Sequence, residues 1–150
     1  MNEQKLKEQI KRHEGEVLEI YEDSLGYLTL GVGHLIQKSD PEHGLPAGTP
    51  VSQEVVDMYY EDDFTKHVEE TKHVIGEDIF NGLPSEIQEV LVNMCFNLGG
   101  TRLGKFKNML NAVEDHDWSR MAVEMEDSRW FKQVGRRSIE LQEIVRSQNG

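Results

Sequence analysis

Residues 13–35, HEGEVLEIYEDSLGYLTLGVGHL, constrain this chain more than any other stretch, because a helical pattern gives way there to an alternating one. Glu14 stands at the end of a short helix, and the glycine after it supplies a C-terminal stop. The segment 24–26 predicts a turn, and the run that follows has strand character with interior glycines at 31 and 33. A glycine inside a strand usually marks a bend or the close approach of another backbone or a ligand. The stretch therefore predicts a helix end followed by a bent hairpin.

The first half of the chain supplies a helix, a sheet and a long helix. Residues 2–13 predict a short amphipathic helix, and residues 16–37 predict a small antiparallel sheet of two or three strands. The segment 39–50 predicts a loop, since it contains three prolines and two glycines. Residues 52–75 predict the longest helix, about 35 Å long at the standard rise per residue, with Ser52 as its N-cap and Gly76 as its stop. One face of this helix is acidic, and the other carries an apolar stripe at helical spacing that is interpreted as core packing: Val55, Val56, Tyr59, Tyr60, Phe64, Val68 and Ile75.

The second half is predicted to be helical throughout. A helix over 85–98 starts in a capping box formed by Ser85 and Gln88 and stops at Gly99-Gly100. Further helices are predicted around Phe106–Val113, around Trp118–Met125 with Asp117 as N-cap, around Trp130-Phe131 as a turn or short helix, and around Ile139–Val145.

This order of elements favours an α+β fold with a small antiparallel β-sheet lobe and a larger all-helical lobe joined by a long helix. Residues 1–150 are expected to form a single domain. The β-lobe covers about 14–51, the connecting helix about 52–75 and the helical lobe about 77–150. The N-terminal helix over 2–13 is expected to pack on the helical lobe.

The acidic composition argues against several classes of function. A net charge of −12 disfavours nucleic acid as a partner, because phosphate binding needs clustered Lys and Arg. Two basic clusters, within 102–107 and 129–137, could still meet an anionic polymer. No run of about eighteen apolar residues predicts a membrane span, and the N-terminal residues lack the apolar core of a secretory signal.

Neither a metal nor a cofactor is expected. The six histidines form no HExxH motif and no i, i+4 pair. The acidic run 61–63 lacks the glycine and the spacing of a calcium loop. The single cysteine, Cys95, falls in an apolar helical stretch and is interpreted as a small core residue rather than a nucleophile.

Two acids nine positions apart, Glu14 and Asp23, are the candidate catalytic pair. Glycoside hydrolysis needs one carboxylic acid that holds its proton and a second carboxylate that stays ionised. Glu14 is the candidate acid because it follows an amphipathic helix, and Asp23 is the candidate base because it precedes a polar turn. Thr29 lies across the hairpin, where its hydroxyl could help Asp23 hold a water. The alternative, in a chain with 28 acids, is that both are surface residues.

The order of these motifs resembles that of a known family. R-H-E-G at 12–15, Y-E-D at 21–23 and L-G-Y-L-T-L-G-V-G-H-L at 25–35 are similar to the N-terminal lobe of the lysozymes of the T-even phages and related phage endolysins. N-M-C-F-N-L-G-G at 93–100 and S-R-W at 128–130 resemble later motifs of that family. The resemblance therefore has anchors in both halves of the chain.

The resemblance implies a muramidase without metal or cofactor, which hydrolyses the β-1,4 bond between N-acetylmuramic acid and N-acetylglucosamine with inversion. It implies that Glu14 is the general acid, that Asp23 is the base that directs water, and that Thr29 assists this water. It also implies that His34 is a buried structural histidine whose carboxylate partner is Asp63.

Further roles follow from the same resemblance. The residues implied to contact the sugar are Gly31, Leu35, Asn97 and Phe106. Arg137 is implied to pair with Glu14, and the adjacent Arg136 is the alternative for that role.

The partner implied is the glycan strand of peptidoglycan, without nucleic acid and without membrane insertion. The chain is expected to be a monomer, and a protein inhibitor or a virion component stays open as a further partner. Without a signal sequence the protein is expected in the host cytoplasm until lysis, when it acts on the cell wall. It could instead be carried in a virion as a wall-penetrating component.

Two alternatives to hydrolysis remain open from sequence. A lytic transglycosylase needs only one acid and closes the sugar's own 6-hydroxyl onto the anomeric carbon. A wall-binding or inhibitor-docking module would have kept the fold and lost the activity. The intact set of Glu14, Asp23 and Thr29 favours an active enzyme.

Overall fold

The computed structural model describes residues 1–148 and confirms the α+β class. Its elements in chain order are α1 Glu3–Glu14, β1 Val17–Glu22, β2 Leu28–Gly31, β3 His34–Leu35, α2 Gln53–Ile75, α3 Glu77–Asn81, α4 Ser85–Leu98, α5 Gly100–Leu103, α6 Lys107–Glu114, α7 Trp118–Glu126, α8 Arg129–Val134 and α9 Arg136–Ser147. The chain groups into two compact units. One is Lys7–Lys66, and the other, the helical unit, combines Met1–Leu6 with the chain from His67 onward.

The three strands form one antiparallel sheet in the order β1-β2-β3. Tyr21 pairs with Thr29 across β1 and β2, and Leu30 pairs with His34 across β2 and β3. The register of β1 is irregular toward its N-terminal end, where its backbone also bonds to the segment 48–51. The sheet predicted within 16–37 is therefore present, and part of the proline-containing loop lies along its edge.

The core of the Lys7–Lys66 unit comes from α1, the sheet and the apolar stripe of α2. Its buried apolar residues are Ile10, Ile20, Leu30, Val32, Val56, Tyr59, Tyr60 and Phe64. On α2 these residues recur at helical spacing, while Asp57, Glu61 and Asp62 are exposed on the other face. The apolar stripe and the acidic face of the long helix are both confirmed.

Glycines end α1 and α2, as predicted. The N–H of Gly15 donates to Lys11 O at 2.8 Å with φ +79°, and the N–H of Gly76 donates to Lys72 O at 2.8 Å with φ +99°. This left-handed backbone favours glycine at both positions. At the other end of α2, Ser52 Oγ accepts the N–H of Val55 at 3.2 Å, which confirms the predicted N-cap.

The boundaries within the second half were predicted less well. The capping box is wrong: Ser85 is the first residue of α4, Pro84 occupies the N-cap position, and Gln88 Nε2 donates to Phe80 O at 2.8 Å instead. Two short helices were not predicted: α3 begins directly after Gly76, and α5 begins at Gly100, although both glycines were expected only to stop a helix. Asp117 does cap α7, because its Oδ1 accepts the N–H of Arg120 at 3.1 Å.

The core of the helical unit is built largely from α4, α7 and α9. Its most deeply buried side chains, each 1 % exposed or less, include Ile87, Leu91, Met94, Leu103, Met109, Met121, Met125 and Leu141. Cys95 is fully buried, as predicted, and burial together with the nearby Glu70 carboxylate raises the pKa of its thiol to about 12. No helix within residues 1–148 is long and apolar enough to cross a membrane.

Candidate active site

The Glu14 carboxylate lies against the turn between β2 and β3. Glu14 is the last residue of α1 and is half-buried. A Cβ built on Gly33 would lie 2.7 Å from Glu14 Oε1, and Gly33 has φ +63°. Glycine at this position thus permits the left-handed backbone of the turn and leaves room for the carboxylate of Glu14. The interior glycines predicted the close approach of another backbone or a ligand, and at Gly33 the approach is made instead by the side chain of a catalytic candidate.

Asp23 closes the hairpin between β1 and β2. Its Oδ1 accepts the N–H of Leu25 and the N–H of Tyr27, both at 2.9 Å. Its own backbone N–H donates to Tyr27 O at 2.9 Å, and Gly26, with φ +85°, donates to Asp23 O at 3.0 Å. These bonds make a three-residue loop with a left-handed glycine. They fix the direction of the Asp23 carboxyl group.

Thr29 lies on β2, close to the turn that Asp23 closes. It pairs with Tyr21 of β1, two residues before Asp23. Thr29 is buried, and its hydroxyl donates to Tyr27 O at 3.1 Å. The lone pairs of Thr29 Oγ1 can still accept a hydrogen from water. The same Tyr27 O also accepts the backbone N–H of Asp23, so the hairpin places Thr29 next to the turn that carries the candidate base.

Tyr21 reports on both candidate acids. Burial raises the pKa of Tyr21, and the carboxylates of Glu14 and Asp23 raise it further. Both acids are therefore close enough to act on one phenol. The structure brings Glu14, Asp23 and Thr29 to the same region of the Lys7–Lys66 unit.

Gly31 and Leu35, the two sugar-contact candidates in the sheet, have different surroundings. A Cβ on Gly31 would lie 2.9 Å from Val56 Cγ1 on α2, and Gly31 has φ +60°. Packing against α2 therefore accounts for this glycine without a ligand. Leu35 is 45 % exposed on β3. A sugar contact at either residue stays a prediction.

His34 is buried between two carboxylates. Its Nδ1 lies 2.7 Å from Asp63 Oδ2 on α2, and its Nε2 lies 2.8 Å from Asp40 Oδ2 in the loop after β3. The ring of Tyr59 stacks on it with centroids 3.9 Å apart, and the Tyr59 hydroxyl donates to Glu42. The Asp63 partner implied by the resemblance is present, and a second carboxylate is added to it.

The charges around His34 shift two pKa values. Burial disfavours the charged ring, but the bonds and charges of Asp63 and Asp40 outweigh burial and raise the pKa of His34. Burial opposes the charge of Asp40 as well, but bonds from the Gln37 N–H and from His34 lower the pKa of Asp40. The group is a histidine held between two carboxylates that favour its protonated form.

Asn97 and Phe106 meet at Trp130 in the helical unit. Trp130 Nε1 donates to Asn97 Oδ1 at 2.6 Å, and the rings of Phe106 and Trp130 are 6.2 Å apart in an edge-to-face arrangement. Ser128 Oγ accepts the N–H of Phe131 at 3.2 Å and so caps the helix that carries Trp130. Phe106 also borders a surface pocket of about 260 Å³. The motifs at 93–100 and 128–130 thus build one polar and aromatic cluster.

Arg137 and Arg136 differ in burial. Arg137 is buried, and it donates from Nε to Asn93 Oδ1 at 2.9 Å and from an Nη to Asn93 O at 3.2 Å. Arg136 is exposed. Of the two adjacent residues, Arg137 is the one held in the interior. Its pairing with Glu14 stays a prediction.

Sequence reasoning missed three residues of this site. Gly33 was recognised as a place of close approach but not as the seat of Glu14. Asp40 lies in the proline-containing loop and was not connected to His34. Tyr59 was interpreted as core packing because it recurs at helical spacing, and that spacing gives no sign of the stacked histidine.

The family of the chain follows from its match to a protein-family model. The family model described as phage lysozyme matches residues 11–148, which include the hairpin, the long helix and the helices α3 to α9. The chain belongs to the phage lysozyme family. As a phage lysozyme it is a glycoside hydrolase whose substrate is peptidoglycan.

Individual relatives of this phage lysozyme agree with the family. The chain is 31 % identical over 150 residues to probable T4-type lysozyme 2 of Dictyostelium discoideum, which covers 89 % of this chain and 88 % of that protein. It is 27 % identical over 159 residues to probable T4-type lysozyme 1 of the same organism, covering 93 % and 92 %. It is also 28 % identical to the pre-baseplate central spike protein Gp5 of Enterobacteria phage T4, covering 95 % of this chain but 28 % of that protein.

Proposed function

We propose that this lysozyme is a muramidase that cleaves the β-1,4 bond between N-acetylmuramic acid and N-acetylglucosamine by single displacement with inversion. Glu14 is the general acid that protonates the leaving glycosidic oxygen. Asp23 is the general base that takes a proton from the attacking water, and Thr29 accepts a hydrogen bond from the same water. No metal or cofactor takes part in these steps.

One observation carries the proposal. The Glu14 carboxylate lies against Gly33 in the turn between β2 and β3, and Asp23 closes the turn between β1 and β2 of the same sheet. A general acid must be held in one place to meet the leaving oxygen, and the absence of a side chain at Gly33 allows that contact. Two backbone N–H groups bond to the Asp23 carboxylate and fix its orientation, so that it can accept a proton from water in one direction.

Residues away from the acids supply the proposed sugar contacts. The exposed Leu35 offers an apolar surface for a sugar ring. Asn97 and Phe106 offer an amide and an aromatic edge next to Trp130. Gly31 is the weakest member of the set, since Val56 occupies the space beside it. Mutation of Asn97 should therefore raise KM more than mutation of Gly31 does.

Two settings fit such an enzyme. The first is a monomeric endolysin that is held in the host cytoplasm and reaches the wall at lysis. The second is a virion component, a setting supported by the match to a central spike protein of a phage. The chemistry proposed for Glu14 and Asp23 is the same in both.

The test compares three single variants on purified bacterial walls. Glu14→Gln keeps the shape of the side chain and removes the acid, so the rate should fall on the order of 10²–10⁴-fold. Asp23→Asn should reduce the rate somewhat less, because water can still attack without its base. Glu22→Gln is the matched control, since Glu22 is an exposed acid next to Asp23 and points to the other face of β1.

The outcomes separate the assignments. Full activity in a folded Glu14→Gln variant would refute the role of Glu14. Unchanged turnover in Asp23→Asn, with anhydro-muramic ends in the products, would show a lytic transglycosylase. Binding to walls without cleavage by the unaltered protein would show a wall-binding module.

A further inference from the structure

A second group of chemically versatile side chains lies in the helical unit, where the proposed hydrolysis does not use it. Among residues 1–148, His67, Glu70 and Cys95 bring one potential metal ligand atom each to within 4.8 Å of one another. His67 Nδ1 lies 3.2 Å from Glu70 Oε1, and Cys95 Sγ lies 3.2 Å from the same oxygen. His67 and Glu70 are one helical turn apart on α2, and Cys95 comes from α4.

We infer that His67 Nδ1, Glu70 Oε1 and Cys95 Sγ form a binding site for a divalent transition metal, with Zn²⁺ as the ion that fits best. Imidazole nitrogen, carboxylate oxygen and thiolate sulfur are the three ligand types that zinc takes in proteins. Tetrahedral zinc with ordinary bond lengths places such ligand atoms about 3.3–3.6 Å apart. The two distances of 3.2 Å are within a few tenths of an ångström of that spacing.

The surroundings of Glu70 Oε1 also suit a metal ligand. Three donors converge on this one oxygen: the N–H of Gly100 at 2.8 Å, the thiol of Cys95 and the ring of His67. A carboxylate oxygen has two lone pairs, so three donors crowd it. When a metal binds, the thiol proton passes to solvent and the neutral imidazole keeps its proton on Nε2. The Gly100 N–H continues to orient the carboxylate, as outer hydrogen bonds do in metal sites.

Gly100 is required for this geometry. A Cβ on Gly100 would lie 2.5 Å from Glu70 Cγ and 2.8 Å from Glu70 Cδ. The glycine that sequence reasoning interpreted as a helix stop therefore admits the Glu70 side chain to the start of α5. Phe96 packs against His67, with ring centroids 4.9 Å apart, and restricts the imidazole on one side.

The site is open on one side. The side chains of His67 and Glu70 are 20 % and 34 % exposed, whereas Cys95 is fully buried. An ion can therefore enter from solvent past the histidine and the carboxylate, and water supplies the fourth ligand. An open fourth position with three protein ligands predicts a single ion bound one to one.

Cobalt absorption tests the inference on the purified full-length protein. Co²⁺ bound by a thiolate gives a near-ultraviolet charge-transfer band, and the chain has one cysteine, so this band can arise from Cys95 alone. We expect the band to saturate at one equivalent of Co²⁺ and to disappear when Zn²⁺ is added. His67→Gln should weaken binding by more than about tenfold, since loss of even a ligand's hydrogen-bond partner costs about 10–100-fold.

Matched controls come from the same helix. His73 and Glu69 are exposed and border a neighbouring surface pocket that could bind a metal adventitiously. His73→Gln and Glu69→Gln should leave the thiolate band unchanged. Cys95→Val should abolish the band, and circular dichroism checks that the variant is folded. Absence of the band in the folded unaltered protein would overturn the inference, and so would binding that is lost in His73→Gln but kept in His67→Gln.

Discussion

At the residue scale, the central contact is between Glu14 and Gly33. The two residues lie on different elements, and the contact exists because Gly33 has no side chain and adopts a left-handed backbone. A side chain here would meet the tip of Glu14 rather than any backbone atom. The carboxylate, which is the flexible partner, is therefore what must move.

Gly33→Ala should reduce catalytic rate far more than it reduces stability. We expect a loss of tenfold or more in kcat, because a displacement of about 1 Å can cost on the order of 10²-fold. The free energy of unfolding should fall by about 1 kcal/mol from the left-handed backbone. Gly44→Ala is the control, since Gly44 has φ +93° with nothing within 4 Å of its Cβ position and lies outside the hairpin that carries Asp23. Equal losses of kcat in both variants would contradict the contact.

Sequence order alone identified both acids and Thr29 as candidates, but it could not show what holds them. Asp23 could be connected to its turn because the donors are two and four residues away. The Gly33 contact of Glu14 depends on how the sheet folds back on α1. No pattern of neighbouring residues predicts the contact between Glu14 and Gly33.

At the element scale, His34 joins three parts of the Lys7–Lys66 unit. It lies on β3, Asp40 lies in the following loop, and Asp63 lies on α2. Tyr59 of α2 covers the ring and bonds to Glu42 in the loop. The long loop is thereby fixed to α2 directly, through Tyr59, and indirectly, through His34, which bonds to both Asp40 and Asp63.

The group of His34 with Asp40 and Asp63 predicts how stability depends on pH. The raised pKa of His34 gives a contribution that is fully present below its ordinary value of 6.5 and is lost as pH rises through the folded value. The lowered pKa of Asp40 gives one that is present above its ordinary value of 3.8 and is lost as pH falls through the folded value. The group should therefore stabilise most between these two values.

Urea denaturation of the unaltered protein and of His34→Asn, at several pH values, measures this contribution. The difference in free energy of unfolding should be greatest near pH 5 and should decline by about 1.5–3 kcal/mol at alkaline pH, the usual contribution of hydrogen bonds to charged groups. Taking the difference removes the titration of distant groups. A difference that stays constant from pH 5 to pH 9 would contradict a charged His34.

Element boundaries show where local pattern suffices. Ser52, Gly15, Gly76 and Asp117 act as predicted, because caps and left-handed stops depend on a few neighbouring residues. The Ser85 capping box fails because Pro84 takes the cap position and Gln88 bonds to Phe80 instead. The helices after Gly76 and Gly99 were missed for a related reason. They are five and four residues long and are fixed by packing that the sequence pattern does not display.

At the scale of the whole molecule, the charge is acidic and unevenly divided. The Lys7–Lys66 unit carries 13 acidic and 5 basic side chains, a net of −8 out of the total of −12. The proposed catalytic acids belong to this more acidic unit. Peptidoglycan is itself anionic, so association with it is opposed at long range.

Salt should therefore accelerate wall cleavage at low substrate. Between 10 and 150 mM salt the screening length falls from about 30 Å to about 8 Å, which weakens the repulsion. We expect kcat/KM on isolated walls to rise several-fold over this range, while kcat changes little. A monotonic fall of kcat/KM with salt would show instead that the basic clusters within 102–107 and 129–137 govern capture.

The stereochemistry of the first product tests the proposed mechanism most directly. Proton NMR of a defined N-acetylmuramic acid–N-acetylglucosamine oligomer during cleavage resolves the anomer formed before mutarotation. If Glu14 donates a proton and Asp23 directs one water in a single displacement, the new N-acetylmuramic acid reducing end appears first as the α-anomer. A β-anomer formed first, or an anhydro end with no reducing sugar, would contradict that mechanism.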